Sequence, residues 1–215
     1  MSEVKEIEEK EEKVDILASK VISGFKGFFD SVNTPWVYSA TVINYIKKYY
    51  LNYKGKDLNK NKDLIKFLSE ISGLNYNEFN KDWKNLTEEQ KKKAIDQIIS
   101  DIAELGLESL FMAIANTWEV YNDLWVRHKI MNIAKDYLNN KIDFSDMAEE
   151  IEGIFWPHKK IKEKEGKNIE YCNYWKGISL GNYITKSKAL ELVQKYLINE
   201  IDAIEKNLNL GKPAP

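Results

Sequence analysis

The sequence predicts an all-α protein, a four-helix-bundle body with an extended N-terminal helix-turn-helix arm. Three observations lead there. Apolar residues recur at spacings of three and four through most of the chain, the period of a helix with one buried face. Start and stop signals punctuate these runs, among them the capping-box sequence Thr87-Glu88-Glu89-Gln90 and the breakers Pro35, Gly73, Gly106 and Pro157. Charge is segregated: residues 16–66 carry nine lysines against three acidic residues, and residues 94–155 carry four basic against twelve acidic ones.

A length of 215 residues suits one substantial domain, or a domain of about 130 residues with an arm. The 43% hydrophobic and 31% charged content is that of a globular chain, not a disordered one. No apolar run approaches the roughly 18 residues of a membrane span, and the acidic N-terminus is no signal peptide, so folding in a cytoplasm is expected. The lone Cys172 excludes an internal disulfide and reads as a buried, inert thiol. Arg127 is the only arginine. Phosphate contacts would therefore be point-like ammonium contacts rather than bidentate forks.

In chain order, residues 1–15 carry three lysines against seven acidic residues and read as a solvated extension or frayed helical start. Leu17, Val21, Phe25, Phe28 and Val32 then form one helical stripe, with Lys20, Ser23, Gly24, Gly27 and Ser31 beside it. A glycine inside a helix costs about 1 kcal/mol relative to alanine, so two on one face imply close approach of another backbone or of a phosphate chain. Asn33-Thr34-Pro35 ends this helix and opens the next, since proline suits a first helical turn. From Pro35 to about Leu51 the second helix is apolar around most of its girth, with a narrow polar stripe of Thr41, Asn44 and Lys48. Such a helix needs cover, from the fold or from another subunit.

Residues 52–62 read as a loop and Asp63–Ser72 as a short helix stopped by Gly73. Residues 75–85 read as a turn-rich connection anchored by Tyr76, Phe79 and Trp83. The capping box opens a helix to Leu105, closed by Gly106. A long stretch from Leu107 to about Asn139 follows, with a break expected near Arg127 and His128. Asp143 or Ser145 caps a shorter helix ended by Pro157, residues 158–168 form a charged loop, and residues 169–184 leave a hairpin open. Thr185 caps a last helix. The segments 87–105, 107–138, 144–155 and 186–207 are expected to form the bundle. The expected divisions are residues 1–66 (acidic tip and basic arm), 67–157 (first part of the bundle) and 158–215 (extension and last helix).

No catalytic motif is found. His128 and His158 are the only histidines and lie outside zinc-binding spacings. Asp143, Asp146, Glu149, Glu150 and Glu152 read as a solvated helix start favoured by the macrodipole, not as a metal site. Phosphate loops and nucleophile elbows are missing. Neither a cofactor nor a metal is expected.

The arm carries the chemistry. Lys20, Ser23, Gly24, Lys26, Gly27, Ser31, Thr41, Asn44, Lys47, Lys48, Lys54 and Lys56 are the candidate nucleic-acid contacts. Lysines displace counterions, and small residues let a helix lie close to phosphate without reading bases. A solvated lysine face beside a core helix is the competing reading. Phe28, Phe29, Trp36, Tyr38, Tyr45, Tyr49 and Tyr50 are the candidate subunit-interface residues.

The order of helix, proline-bearing turn, second helix and bundle resembles the major capsid proteins of filamentous (lipothrixvirus-like) and rod-shaped viruses of hyperthermophilic archaea. The stretch from Phe28 to Ile43, FFDSVNTPWVYSATVI, is similar to that family's aromatic Asn-Pro turn and small-polar helix start. It departs by the extra Thr34 between Asn33 and Pro35, by lysine in place of arginine, and by the length beyond about Pro157. That extension fits the filamentous, enveloped branch, whose capsids pair two related subunits. The resemblance implies a virion protein made in a host cytoplasm, which wraps linear double-stranded DNA in A-form within a helical filament. It also implies partnership with itself and a paralogous second subunit, and an external lipid envelope. The alternative function is an α-helical protein-interaction module or accessory subunit of a nucleoprotein complex.

Overall fold

Val14, Leu17, Val21 and Phe25, three and four residues apart, are all buried and make α1 (Ser2–Phe29) amphipathic along its C-terminal half. The computed structural model describes residues 2–51, 58–121, 124–155 and 183–199. Among these the protein is all-helical, with no strand. After α1 come α2 (Pro35–Leu51), α3 (Leu58–Ser72), α4 (Tyr76–Lys84), α5 (Glu88–Tyr121), α6 (Leu124–Leu138) and α7 (Phe144–Phe155). The last is α8 (Lys186–Leu192), continued by a π-helical turn, Val193–Ile198.

The chain divides into two compact units, Met1–Leu105 and Gly106–Pro215, at a point inside α5. In the first unit α1 and α2 both pack on α3, and α3 packs on α4. Their shared core includes Phe25, Ile43, Ile46, Leu64, Ile65, Leu68 and Trp83, each at most 1% exposed. In the second unit α6 packs on α7 and on the π-helical turn. There the Phe111 ring meets Phe144 edge-on at 5.7 Å, and Tyr137 lies 5.5 Å from Phe144.

Most punctuation behaves as the residues dictate. The Thr87 hydroxyl accepts from the Gln90 amide at 3.2 Å while Gln90 Oε1 accepts from the Thr87 amide at 2.8 Å, a reciprocal capping box. The same Gln90 side chain donates from Nε2 to the Lys10 carbonyl at 3.4 Å, tying the start of α5 to α1. Thr185 caps α8 through the Lys188 amide, and Asp143 accepts from the Asp146 amide at the start of α7. Gly73 (φ 64°) ends α3 and Asn140 (φ 59°) ends α6, each in the left-handed conformation that terminates helices.

Four local expectations need correction. Residues 75–85 are mostly helical: the Asn75 side chain accepts from the amides of Asn77 and Glu78, and α4 then buries Phe79 and Trp83 one turn apart. Helix α3 starts earlier, at Leu58, so only residues 52–57 of the expected loop lie outside the described residues. Gly106 does not close a helix, because α5 runs through it to Tyr121; the glycine penalty is outweighed where Leu107, Leu110 and Phe111 are fully buried. Arg127 and His128 lie within α6 rather than at a break. Residues 156–182, with Cys172, His158 and the hairpin question, lie outside the described residues, as does the end of the last helix after 199.

Candidate nucleic-acid interface

The outward face of α1 presents small and basic residues because its apolar face is committed to the core. Lys20, Ser23, Lys26 and Gly27 are all exposed. A Cβ built at Gly27 would meet nothing within 4 Å, so this part of the helix offers a smooth surface. The two glycines play different parts. Gly24 is half-buried, and a Cβ there would collide with the Ser72 carbonyl group, falling 2.7 Å from its carbon. Of the two causes that could place a glycine here, close approach of another backbone is the one seen: the end of α3 lies on α1 at this point.

Lys20 Nζ lies 3.4 Å from Asp82 Oδ2, with both side chains about half exposed. A pair so solvated is worth at most about 1 kcal/mol and leaves the ammonium accessible. Ser31 is exposed in the turn after α1, its hydroxyl donating to the Phe28 carbonyl at 2.7 Å. On α2, Thr41 is half-buried and donates to the Val37 carbonyl at 2.9 Å, while Asn44 and Lys48 are exposed and Lys47 is half-buried. Lys54 and Lys56 lie outside the described residues.

The aromatic candidates divide in the same way. Phe29 and Trp36 are buried, and Tyr38 stacks on Phe25 with ring centres 5.2 Å apart and planes 3° from parallel. Burial raises the Tyr38 phenol above its ordinary pKa. The Tyr38–Phe25 stack joins α1 to α2 within the first unit, and Phe29 packs beside Phe25 with ring centres 5.7 Å apart. Tyr49 and Tyr50 are half-buried; burial, and secondly the charge of Asp96, raises the Tyr50 pKa. Phe28 and Tyr45 remain 48% and 47% exposed. Tyr45 and Tyr49 both lean on Phe67 of α3, at 5.6 and 5.8 Å. Phe67 and Asp82 were missed because their roles depend on α3 and α4 being brought against the first two helices.

Beside the basic face lies an acidic one. Glu8, Glu11, Glu12 and Asp15 line a groove of about 970 Å³ together with Ser19, Lys20, Ser23 and Leu74. A phosphate chain following α1 would be attracted from Lys20 toward Lys26 and repelled on the N-terminal side. The block of acids was legible in the sequence, but its merging into one groove with Ser19 and Ser23 was not.

In the second unit a polar cluster joins Glu108 of α5 to the π-helical turn. Tyr196 donates to Glu108 Oε1 at 2.6 Å, and Lys195 lies 3.3 Å from the same oxygen. Foremost through the Tyr196 hydrogen bond, the Glu108 carboxyl is held below its usual range. The acids near α7 do not converge: Asp143 caps the helix, Asp146 and Glu150 are exposed, and Glu152 is buried. Among the described residues, no group of three or more His, Cys, Asp or Glu could hold a metal ion, and no helix is long and apolar enough to cross a membrane. No protein-family model, curated protein or solved structure matches the chain.

Proposed function

We propose that the chain is a structural DNA-packaging protein, a capsid subunit that holds the backbone of linear double-stranded DNA without reading its sequence. The observation that carries this reading is the outward face of α1, where Lys20, Ser23, Lys26 and Gly27 are all exposed and Gly27 has open space around it. Sequence-independent binding requires positive charge to release counterions and no bulk that would hold the helix off the duplex. In this reading α1 and α2 act as the arm, steadied by α3 and α4, and the later helices form the bundle of a filament wall. The exposed Phe28 and Tyr45 take part in subunit contacts, whereas Phe29 and Trp36 are buried and Tyr38 ties the two arm helices together through Phe25. A paralogous second subunit, an A-form duplex and an external envelope belong to the proposal through the resemblance of residues 28–43 to archaeal filamentous-virus capsid proteins.

Filter binding to duplexes of unrelated sequence tests it. Affinity is expected for all of them, with a steep loss between roughly 50 and 200 mM salt. No affinity at the lower salt overturns the reading. A specific observation favours the second reading, a protein-interaction module: the acidic groove next to Ser19 and Ser23 suits a basic protein surface better than a phosphate chain. A discrete particle of small, fixed mass with and without DNA would support that alternative, and long filaments visible by electron microscopy would support the first.

A further inference from the structure

We propose that the acidic first turns of α1 dock on the lysine- and tyrosine-bearing surface of α2 and α3 in a second copy of this chain. Val14, Leu17, Val21 and Phe25 are buried on one stripe of α1. Seven and ten residues before Val14 the same stripe continues as Ile7 and Val4, which are 56% and 61% exposed. The Gln90 side chain reaches the Lys10 carbonyl, and from there toward the N-terminus residues 3–9 are all exposed. The apolar seam of α1 therefore outruns its cover, and the turns around it stay acidic, with Glu3, Glu6, Glu8, Glu9, Glu11 and Glu12 against Lys5 and Lys10, the latter paired with Glu6 at 3.1 Å.

Charge complementarity identifies the occupant. A partner for this tip must offer apolar surface bordered by positive charge, and the chain carries one. Tyr45 is 47% exposed and leans on Phe67, Lys48 is exposed one turn from Tyr45, and on α3 Lys62 and Lys66 are exposed next to Asp63 and Glu70, so lysines outnumber acids around the ring. The tip cannot fold back onto its own patch, because α1 is one continuous helix with a rise of about 1.5 Å per residue, and Val4 and Ile7 stay uncovered in the folded chain. The tip and the patch are different surfaces, so each copy offers one of each, and the contact joins two copies reciprocally or links successive copies head-to-tail. It rests on the filament reading for its purpose but not for its test, which needs no DNA.

The test follows the mass of the full chain by sedimentation over a concentration series, without DNA, at roughly 50 and 500 mM salt. The wild type is expected to associate at low salt and dissociate at high salt. V4S/I7S, E8K/E11K and K48E/K66E each alter exposed side chains and are checked for unchanged helicity and melting temperature. Each is expected to weaken self-association roughly tenfold or more. Mixing E8K/E11K with K48E/K66E is expected to restore association, because each reversed surface then finds its complement. A wild type that stays monomeric, a V4S/I7S chain that associates normally, or a mixture that fails to recover would overturn the inference. Filter binding on the same samples separates the two readings: DNA binding without self-association sinks only the docking contact, and self-association without DNA binding sinks only the packaging function.

Discussion

Gly24 and Ser72 bring α1 and α3 into backbone contact: a side chain at residue 24 would fall 2.7 Å from the Ser72 carbonyl carbon and 3.0 Å from its Cα. Neither atom belongs to a flexible side chain that could turn aside. Ser72 is itself buried, with its hydroxyl donating to the Leu68 carbonyl. Gly27, three residues later, has open space around it.

The two glycines should respond oppositely to alanine. Gly24→Ala forces the helices apart and is expected to cost about 1–3 kcal/mol, whereas Gly27→Ala gains about 0.5–1 kcal/mol from helix propensity. Urea unfolding of both variants checks this. Equal effects at the two positions would contradict the packing described.

The lysines of α1 should act on DNA binding uniformly across sequences. Lys26→Ala is expected to lower the slope of log affinity against log salt by about one, at constant sequence preference. Lys20→Ala should do the same while also releasing Asp82, a loss in stability of at most about 1 kcal/mol. Salt titrations on two unrelated duplexes measure both slopes.

Acid sensitivity should trace to Glu108. Because the Tyr196 hydrogen bond lowers its folded pKa, the stabilisation is fully present above the ordinary glutamate value. It is lost as the pH falls through the lowered folded value. Tyr196→Phe is expected to cost about 1–2 kcal/mol at neutral pH, reduced by partial exposure, and to flatten this acid limb. Asp101 should behave in reverse: burial above all raises its pKa, so ionisation as pH rises opposes folding. Asp101→Asn should stabilise the chain near neutrality and leave it unchanged in strong acid. Denaturation midpoints from pH 7 downward test both signs.

The capping box should contribute a local increment. Thr87→Ala is expected to cost about 1 kcal/mol. Gln90→Ala should cost as much or more, since it removes both the bond to the Thr87 amide and the contact with the Lys10 carbonyl. Thermal melts of the two variants decide it.

Local sequence is enough for the helical class, for the starts of α2, α5, α7 and α8 and for the stops at Gly73 and Asn140, because these depend on groups within a few residues of one another. Thr87 with Gln90, Thr185 with Lys188 and Asn140 at the end of α6 are all contacts of this range. It also showed that basic and acidic residues are separated along the chain, since charge counts need no coordinates. It did not determine which of two glycines meets a backbone, which tyrosines are already used inside the first unit, or that α5 passes through Gly106. Those outcomes depend on distant segments: Gly24 on Ser72, Tyr38 on Phe25 and Tyr45 on Phe67. Periodicity shows that a helix face must be covered, and only tertiary packing decides what covers it.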